Sequence, residues 1–194
     1  MEDQSMDRRA LLRGAVAGAS AASVTWAASG CAQTTGAAPQ GPAVIYLSRS
    51  GNTRVLAGAI ARHFDAPAFE VRPRDPWPAD YEEMVSWASE WRGREAPMPL
   101  AEKFDLTGFQ TIFVGFPVWG MALPAPMRAA LTQHSFAGKT VRPFITHGGY
   151  GPGSIMDGVK NILRGAQVAD PFVIQCDQER DTLNKLGPWM MQQD

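Results

Sequence analysis

The protein has 194 residues, of which 45% are hydrophobic and 19% are charged. This composition is that of an ordinary globular protein, and the length allows one domain with a sizeable core. The net charge of −1 excludes the basic footprint of a nucleic-acid-binding protein. Two cysteines and three histidines lack the spacing of a disulfide framework or a zinc site, so no metal ligand is predicted.

The N-terminal segment differs in composition from the rest of the chain. A basic stretch is followed by uncharged, small residues from position 14 to 40, which is typical of a targeting segment and too short in its apolar part to span a membrane. The letters DRRALLR at 7–13 resemble the twin-arginine export signal, with Arg8 and Arg9 as the pair. We expect residues 1–31 to be an export signal; the alternative is an Ala-rich leader with two chance arginines.

The end of this segment offers a possible membrane anchor. AASGC at 27–31 resembles a lipoprotein cleavage box in which Cys31 is acylated, and several acyl chains hold a membrane firmly. The alternative is an incidental cysteine near an ordinary cleavage site. Residues 32–41 then form a flexible linker. The expected location is periplasmic, or membrane-anchored outside the cytoplasm.

The remaining residues, 42–194, alternate between strand-like and helix-like segments and are expected to form one domain. This alternation predicts an α/β protein with a doubly wound, five-stranded parallel sheet and helices on both faces. The leading strand order is 2-1-3-4-5, with ligands at the carboxyl ends of strands one and three. Strands are predicted at 43–47, 68–72, 111–116, 140–146 and 171–176. Helices are predicted at 53–64, 79–93, 124–136, 154–165 and 178–186, the last ended by Gly187 and Pro188.

Local patterns add detail to these elements. Asp80 and Glu83 predict a capping box at the start of the second helix. Pro143 is expected to make the pairing of the fourth strand less regular. Tyr81, Val85 and Trp91 are expected to share much of one apolar face of the second helix, with Met84, Trp87 and Ala88 alongside.

The loop after the first strand, SRSGNT at 48–53, predicts an anion site. The helix that follows directs free N–H groups and its positive dipole end toward this loop. The loop lacks the triphosphate and dinucleotide fingerprints, so a monoester phosphate is the expected ligand and a plain turn is the alternative. Arg49 is included as a source of charge, although its side chain, like that of Arg54, could instead extend into solvent. The candidate ligands are Ser48, Arg49, Ser50, Gly51, Asn52 and Thr53.

Two further loops should meet at the same edge of the sheet. PVWGMAL at 117–123 presents Trp119, either as a wall for an aromatic ligand or as part of the core. HGGYGPGS at 147–154 contains four glycines, whose N–H groups can bond the polar edge of a planar ring that Tyr150 partly covers. His147 is expected to be a solvated loop residue.

A phosphate cradle, an aromatic wall and a glycine-rich rim together are typical of an FMN site. YLSRSGNTRVLA at 46–57 is similar to the phosphate-binding signature of flavodoxins, and residues 71–91, 104–131 and 138–163 resemble a short-chain, bacterial flavodoxin-like family. The resemblance implies a flavodoxin-like fold and a redox protein with bound FMN. It also implies that the carbonyl of the Trp119–Gly120 peptide can turn toward flavin N5. The implied ring contacts are Pro117, Val118, Trp119 and Gly120 on one side, and Gly148, Gly149 and Tyr150 on the other.

Three functions remain open at this point. The first is an exported FMN electron carrier without a substrate of its own, whose partner is another redox protein or a small-molecule acceptor. The second is an FMN-dependent reductase, for example of quinones, which uses a reduced nicotinamide. The third is a tethered binding domain that has lost its flavin. A hydrolase at Ser48 or Ser50 is disfavoured because no G-x-S-x-G elbow is present, and no catalytic side chain is predicted.

Overall fold

A computed structural model describes residues 41–176 and 179–192. The predicted export signal, with Cys31, and nearly all of the linker lie outside the described residues. In the part of the chain that the structure describes, no helix has the length and apolar character needed to cross a membrane.

The described residues form one sheet whose strand pairs are all parallel. The strand order is β2-β1-β3-β4-β5, with β6 also beside β4, which confirms the predicted order 2-1-3-4-5. The strands are β1 (Ala43–Tyr46), β2 (Ala68–Glu70), β3 (Thr111–Pro117), β4 (Thr140–His147), β5 (Gln167–Val168) and β6 (Phe172–Gln175). The helices are α1 (Asn52–Phe64), α2 (Tyr81–Gly93), α3 (Ala125–Thr132), α4 (Ile155–Ile162) and α5 (Glu179–Met190).

Two short segments share the fifth position of the sheet. β5 pairs with the start of β4 and β6 pairs with its end. Along a strand, the backbone groups of alternate residues point to opposite sides. The carbonyls of Val141 and His147 point to the side of β5 and β6, where they accept hydrogen bonds from Ala169 N–H at 2.9 Å and from Cys176 N–H at 2.8 Å. Pro143 therefore turns its ring nitrogen toward the interval between β5 and β6, where no donor is required. The pairing of β4 with β3 is unbroken, so the predicted irregularity affects only one side of the strand.

Apolar residues cover both faces of the sheet. Along β1, Val44 and Tyr46 pack with Leu56 of α1 and Trp189 of α5. The intervening β1 residues pack on the opposite face, in a cluster that contains residues of α3 and α4. The strand is buried throughout, as expected for a parallel sheet between two layers of helices.

Helix α2 begins as predicted but buries a narrower face than predicted. The Asp80 carboxylate accepts a hydrogen bond from Glu83 N–H at 3.0 Å, which confirms Asp80 as the N-cap. Tyr81 and Val85 are 66% and 46% exposed, so their assignment to the buried face was wrong. Because α2 packs on the small residues of α3, only a narrow stripe makes contact; Met84, Trp87, Ala88 and Trp91 have their side chains buried or half-buried.

Helix α5 continues past its predicted end. Pro188 lies inside the helix, and the Trp189 ring beyond it is buried against Phe113 and Phe172, with ring centroids 5.9 and 5.5 Å apart. Arg142 Nη2 also donates to the Trp189 carbonyl at 2.9 Å. These tertiary contacts stabilise the last turn against the backbone bond that proline removes. Helices α3 and α4 end a few residues earlier than predicted.

We predict opposite effects for two Gly→Ala substitutions. The Phe144 ring occupies the place where a Cβ at Gly115 of β3 would lie, whereas a Cβ at Gly158 of α4 meets nothing within 4 Å. Gly115→Ala should lower the free energy of unfolding by about 1–3 kcal/mol through overpacking. Gly158→Ala should raise it by up to roughly 1 kcal/mol, because alanine favours the helix. Urea unfolding followed by circular dichroism measures both, and equal effects would contradict the close contact at Gly115.

Candidate functional site

Residue Thr146, near the end of β4, joins the three predicted loops. The Oγ1 atoms of Thr53 and Thr146 form a buried hydrogen bond of 2.9 Å, which connects α1 to β4. Val118 N–H donates to the Thr146 carbonyl at 2.9 Å, which connects the loop after β3. Both threonine side chains are 2% exposed. The structure thus brings together the loops that the sequence placed at one edge.

The loop between β1 and α1 ends in an open helix N-terminus. Gly51 is the N-cap residue with φ +100°, a conformation that favours glycine. Its carbonyl accepts from Val55 N–H at 3.0 Å, so the N–H groups of Asn52, Thr53 and Arg54 precede the hydrogen-bonded turns. The first turn contains no acidic residue. Free N–H groups and a positive dipole end without a competing carboxylate are the requirements of an anion site.

The predicted phosphate ligands divide into two groups. Ser48 and Thr53 are buried, and each hydroxyl has a partner inside the protein; Ser48 Oγ accepts from Gly51 N–H at 3.2 Å. Ser50 is exposed and Asn52 is half-buried. Ser50, Asn52 and the helix N–H groups are therefore the more open donors of this loop, while Ser48 and Thr53 fix its shape.

The two arginines of this stretch have partners in neighbouring connections. Arg49 Nη2 donates to the Ala79 carbonyl at 2.9 Å. Arg54 forms an ion pair with Glu70 of β2. The hydrogen bond to Glu70 raises the pKa of Arg54, with partial burial opposing the shift. Arg49 thus connects the loop after β1 to the residues before α2.

A tight turn follows β3. Trp119 and Ala122 exchange backbone hydrogen bonds of 3.4 and 3.2 Å, and Gly120 and Met121 between them have φ values of +56° and +58°. Positive φ at both central residues is the signature of a type I′ turn. Met121 is not glycine, and such strained residues cluster at ligand sites. Because the Trp119 carbonyl accepts from Ala122 N–H, turning it toward a ligand requires breaking this bond.

Trp119 has an aromatic partner that the sequence analysis missed. Its half-buried ring lies edge-to-face with that of Trp77, with centroids 6.0 Å apart and an interplanar angle of 90°. Both rings also pack against the hydrophobic core. Trp77 lies between β2 and α2. The signal for it in the sequence is the stretch DPWP at 75–78, which follows a strand predicted to be parallel to β1 and therefore starts at the same edge of the sheet.

His147 anchors the loop after β4. Its Nδ1 atom accepts from Gly149 N–H at 3.1 Å and from Gly151 N–H at 3.2 Å. Nδ1 is therefore the unprotonated ring nitrogen in this arrangement. The predicted solvated histidine is instead half-buried and determines the course of the glycine-rich loop.

A cleft of about 350 Å³ lies between the loops after β3 and β4. This volume falls in the range of small-molecule sites, roughly 300–1,000 Å³. Four of the residues predicted to contact the flavin ring line the cleft, namely Val118, Gly120, Gly148 and Tyr150. Tyr150 is 92% exposed. Pro117 is the last residue of β3, and Trp119 and Gly149 belong to the two loops, but none of the three lines the cleft. The lining residues are Val118, Gly120, Met121, His147, Gly148, Tyr150 and Gly151.

A family model described as Flavodoxin matches residues 42–191. The chain belongs to the flavodoxin family. No curated protein matches it in sequence. This family membership accounts for the sheet order and for the loop composition at the carboxyl edge.

Solved structures of similar fold extend over the same part of the chain. A Bacteroides uniformis protein described as a candidate flavoprotein has a TM-score of 0.68 and 23% identity, covering 78% of this chain and 97% of its own. A flavoprotein from Lactobacillus acidophilus, solved in complex with FMN, has a TM-score of 0.58 and 21% identity, covering 76% and 99%. Oxidised flavodoxin 1 from Bacillus cereus has a TM-score of 0.50 and 17% identity, covering 78% and 95%. At these identities the likeness shows the fold.

We predict that His147→Ala loosens the glycine-rich loop. Loss of the Nδ1 acceptor should speed solvent exchange of the Gly149 and Gly151 amides by about fivefold, since one such hydrogen bond contributes roughly 1 kcal/mol. His147→Asn should preserve most of the protection because its side-chain oxygen can accept the same bonds. Solvent-exchange NMR measures these amides, with Val118 N–H as an internal control. Unchanged exchange in His147→Ala would contradict the anchoring role.

Proposed function

We propose that this protein binds FMN and acts as an electron-transfer flavoprotein. The observation that carries the proposal is the placement of an open helix N-terminus and a cleft of small-molecule size at one edge of the sheet. Membership of the flavodoxin family supports FMN as the cofactor, and the similar Lactobacillus acidophilus flavoprotein is solved with FMN bound.

The residues at this edge fit the two ends of FMN. The open N–H groups of α1, with Ser50 and Asn52, suit a phosphate monoester, and no carboxylate in the first turn opposes it. The cleft between Met121 and Tyr150 suits a planar ring with one polar edge, because backbone N–H groups of the glycine-rich loop can bond that edge while side chains exclude water. When bound, FMN supplies the electron-transfer chemistry through its ring.

Charge at the cleft disfavours a very low reduction potential. The loop at 117–123 contains no acidic residue, and a Cβ at Gly120 would meet the guanidinium of Arg92. A cation beside the cleft stabilises added negative charge, whereas a ring of carboxylates would repel it. We therefore expect the protein to work at a higher potential than a carrier whose flavin is surrounded by acids.

We predict that the purified protein binds FMN at about one molecule per chain and discriminates strongly against riboflavin. Riboflavin has the same ring without the phosphate, so its binding isolates the contribution of the α1 site. Two charge-assisted hydrogen bonds of roughly 1.5 kcal/mol each correspond to an affinity ratio of at least about 100. Flavin fluorescence titration measures both constants. A colourless protein that ignores added FMN would favour the flavin-free binding domain, and equal affinities would contradict the phosphate site.

The near-neutral net charge of −1 favours a second candidate function, that of an FMN-dependent reductase. Small carriers that dock by electrostatic steering depend on a pronounced charge, and this protein has none in bulk. Oxidation of NADH or NADPH by the FMN-loaded protein with a quinone acceptor would identify an FMN-dependent reductase. Absence of this turnover, with rapid electron exchange to a protein acceptor, would favour the carrier.

We also propose that the protein is exported by the twin-arginine route, which carries folded proteins and so suits a cofactor loaded in the cytoplasm. Replacement of Arg8 and Arg9 by lysines should leave the protein in the cytoplasm, as measured by cell fractionation. Lysine replacement of Arg13, outside the pair, is the matched control and should leave export intact. Normal export of the double variant would contradict the proposal. Cys31→Ser should release the exported protein from the membrane fraction if Cys31 is acylated.

A further inference from the structure

A fourth connection reaches the carboxyl edge of the sheet, and it belongs to β2. Because β2 is parallel to β1, the residues that follow β2 leave the sheet at the same edge as the loop 48–53 after β1, which we call the phosphate loop. β2 and β3 flank β1 in the strand order. A contact between the connections after β2 and β3 therefore crosses the carboxyl end of β1.

Trp77 and Trp119 make that contact. Their edge-to-face arrangement at 6.0 Å is a favourable geometry for two aromatic rings. Trp119 lies between Val118 and Gly120, which both line the cleft. The Trp119 ring is thus linked to the cleft wall through its two neighbours in the chain. Its contact with Trp77 links it to the connection after β2, on the other side of β1.

The backbone on both sides of Trp77 is fixed. Before it, Arg74 N–H donates to the Pro99 carbonyl and Ala101 N–H donates to the Arg72 carbonyl, both at 2.9 Å. After it, Arg49 holds the Ala79 carbonyl at 2.9 Å. The segment is therefore anchored to residues 99–101 at one end and to the phosphate loop at the other.

We propose that Trp77 is a positioning residue of the flavin site: its indole holds the Trp119 ring, and through it the turn that forms one wall of the cleft. This inference rests on the proposed FMN binding for its functional consequence. The structural consequence, a fixed Trp119 ring, does not depend on FMN and can be measured separately.

The first test uses the protein without added flavin. In ¹⁵N NMR spectra, the indole N–H signal of Trp119, assigned from its loss in Trp119→Ala, should shift and broaden in Trp77→Ala and recover in part in Trp77→Phe. The matched control is Trp87→Ala, which breaks another tryptophan pair, Trp87 with Trp91 at 6.2 Å on α2. That control should leave the Trp119 signal in place. An unchanged Trp119 signal in a folded Trp77→Ala variant would overturn the proposal.

The second test is a double-mutant cycle on FMN affinity. Trp77→Ala should weaken FMN binding by about 2- to 10-fold, the range of one aromatic pair, and should change the visible circular dichroism of bound FMN. In the Trp119→Ala background the same substitution should have no further effect, because Trp77 acts through Trp119. An undiminished effect in that background, or no effect in the wild-type background, would overturn the positioning role. Failure of the wild-type protein to bind FMN would refute the proposed function, and the indole signal would then decide the role of Trp77 alone.

Discussion

Parallel pairing of the strands is the constraint on which the site depends. Each strand of a parallel sheet must be followed by a crossover connection, so the connections after β1, β2, β3 and β4 all begin at the same edge. Placing β1 between β2 and β3 brings the open end of α1 next to the turn at Gly120 and the loop at Gly148. The helices on both faces then bury the strands and leave this edge as the place where backbone polar groups are available.

One residue at this edge has a strained backbone. Met121 has φ +58° although it is not glycine, and its side chain is 52% exposed. The strained backbone costs of order 1–3 kcal/mol, and a half-exposed side chain gains little burial energy to offset this cost. Gly153 accommodates the Met121 methyl group, since a Cβ there would lie 2.7 Å from Met121 Cε. The side chain of Met121 thus packs against the loop after β4, at a residue that has no side chain.

The fold was predictable because its signals are local. Buried strands such as Thr111–Pro117 are continuous apolar runs, and Asp80 is an N-cap by its side chain alone. The errors arise where distant contacts decide the outcome. Pro188 stays in α5 because Trp189 is buried among Phe113 and Phe172, and Tyr81 is exposed because α2 contacts only a narrow surface of α3.

The candidate site was predictable as a set of loops, but the role of several side chains was not. The resemblance to flavodoxins implied ring contacts at Gly120, Gly148 and Tyr150, and all three line the cleft. The anchoring role of His147 depends on the convergence of the Gly149 and Gly151 amides, two residues apart, on one ring nitrogen. The pairing of Trp77 with Trp119 depends on which strands flank β1. Neither relation can be derived from residue spacing along the chain.

The buried hydroxyl pair explains why the phosphate loop and the cleft form one unit. Thr53 lies in the first turn of α1, and its partner Thr146 accepts from Val118 N–H, at the wall of the cleft. A displacement of α1 along its axis would break the hydrogen bond between Thr53 and Thr146 unless β4 moved with the helix. The spacing between the open end of α1 and the cleft is therefore set by buried residues within the protein. The hydroxyls of Ser48 and Thr53 have partners inside the protein and fix the shape of the loop, and this shape leaves the first backbone N–H groups of α1 open.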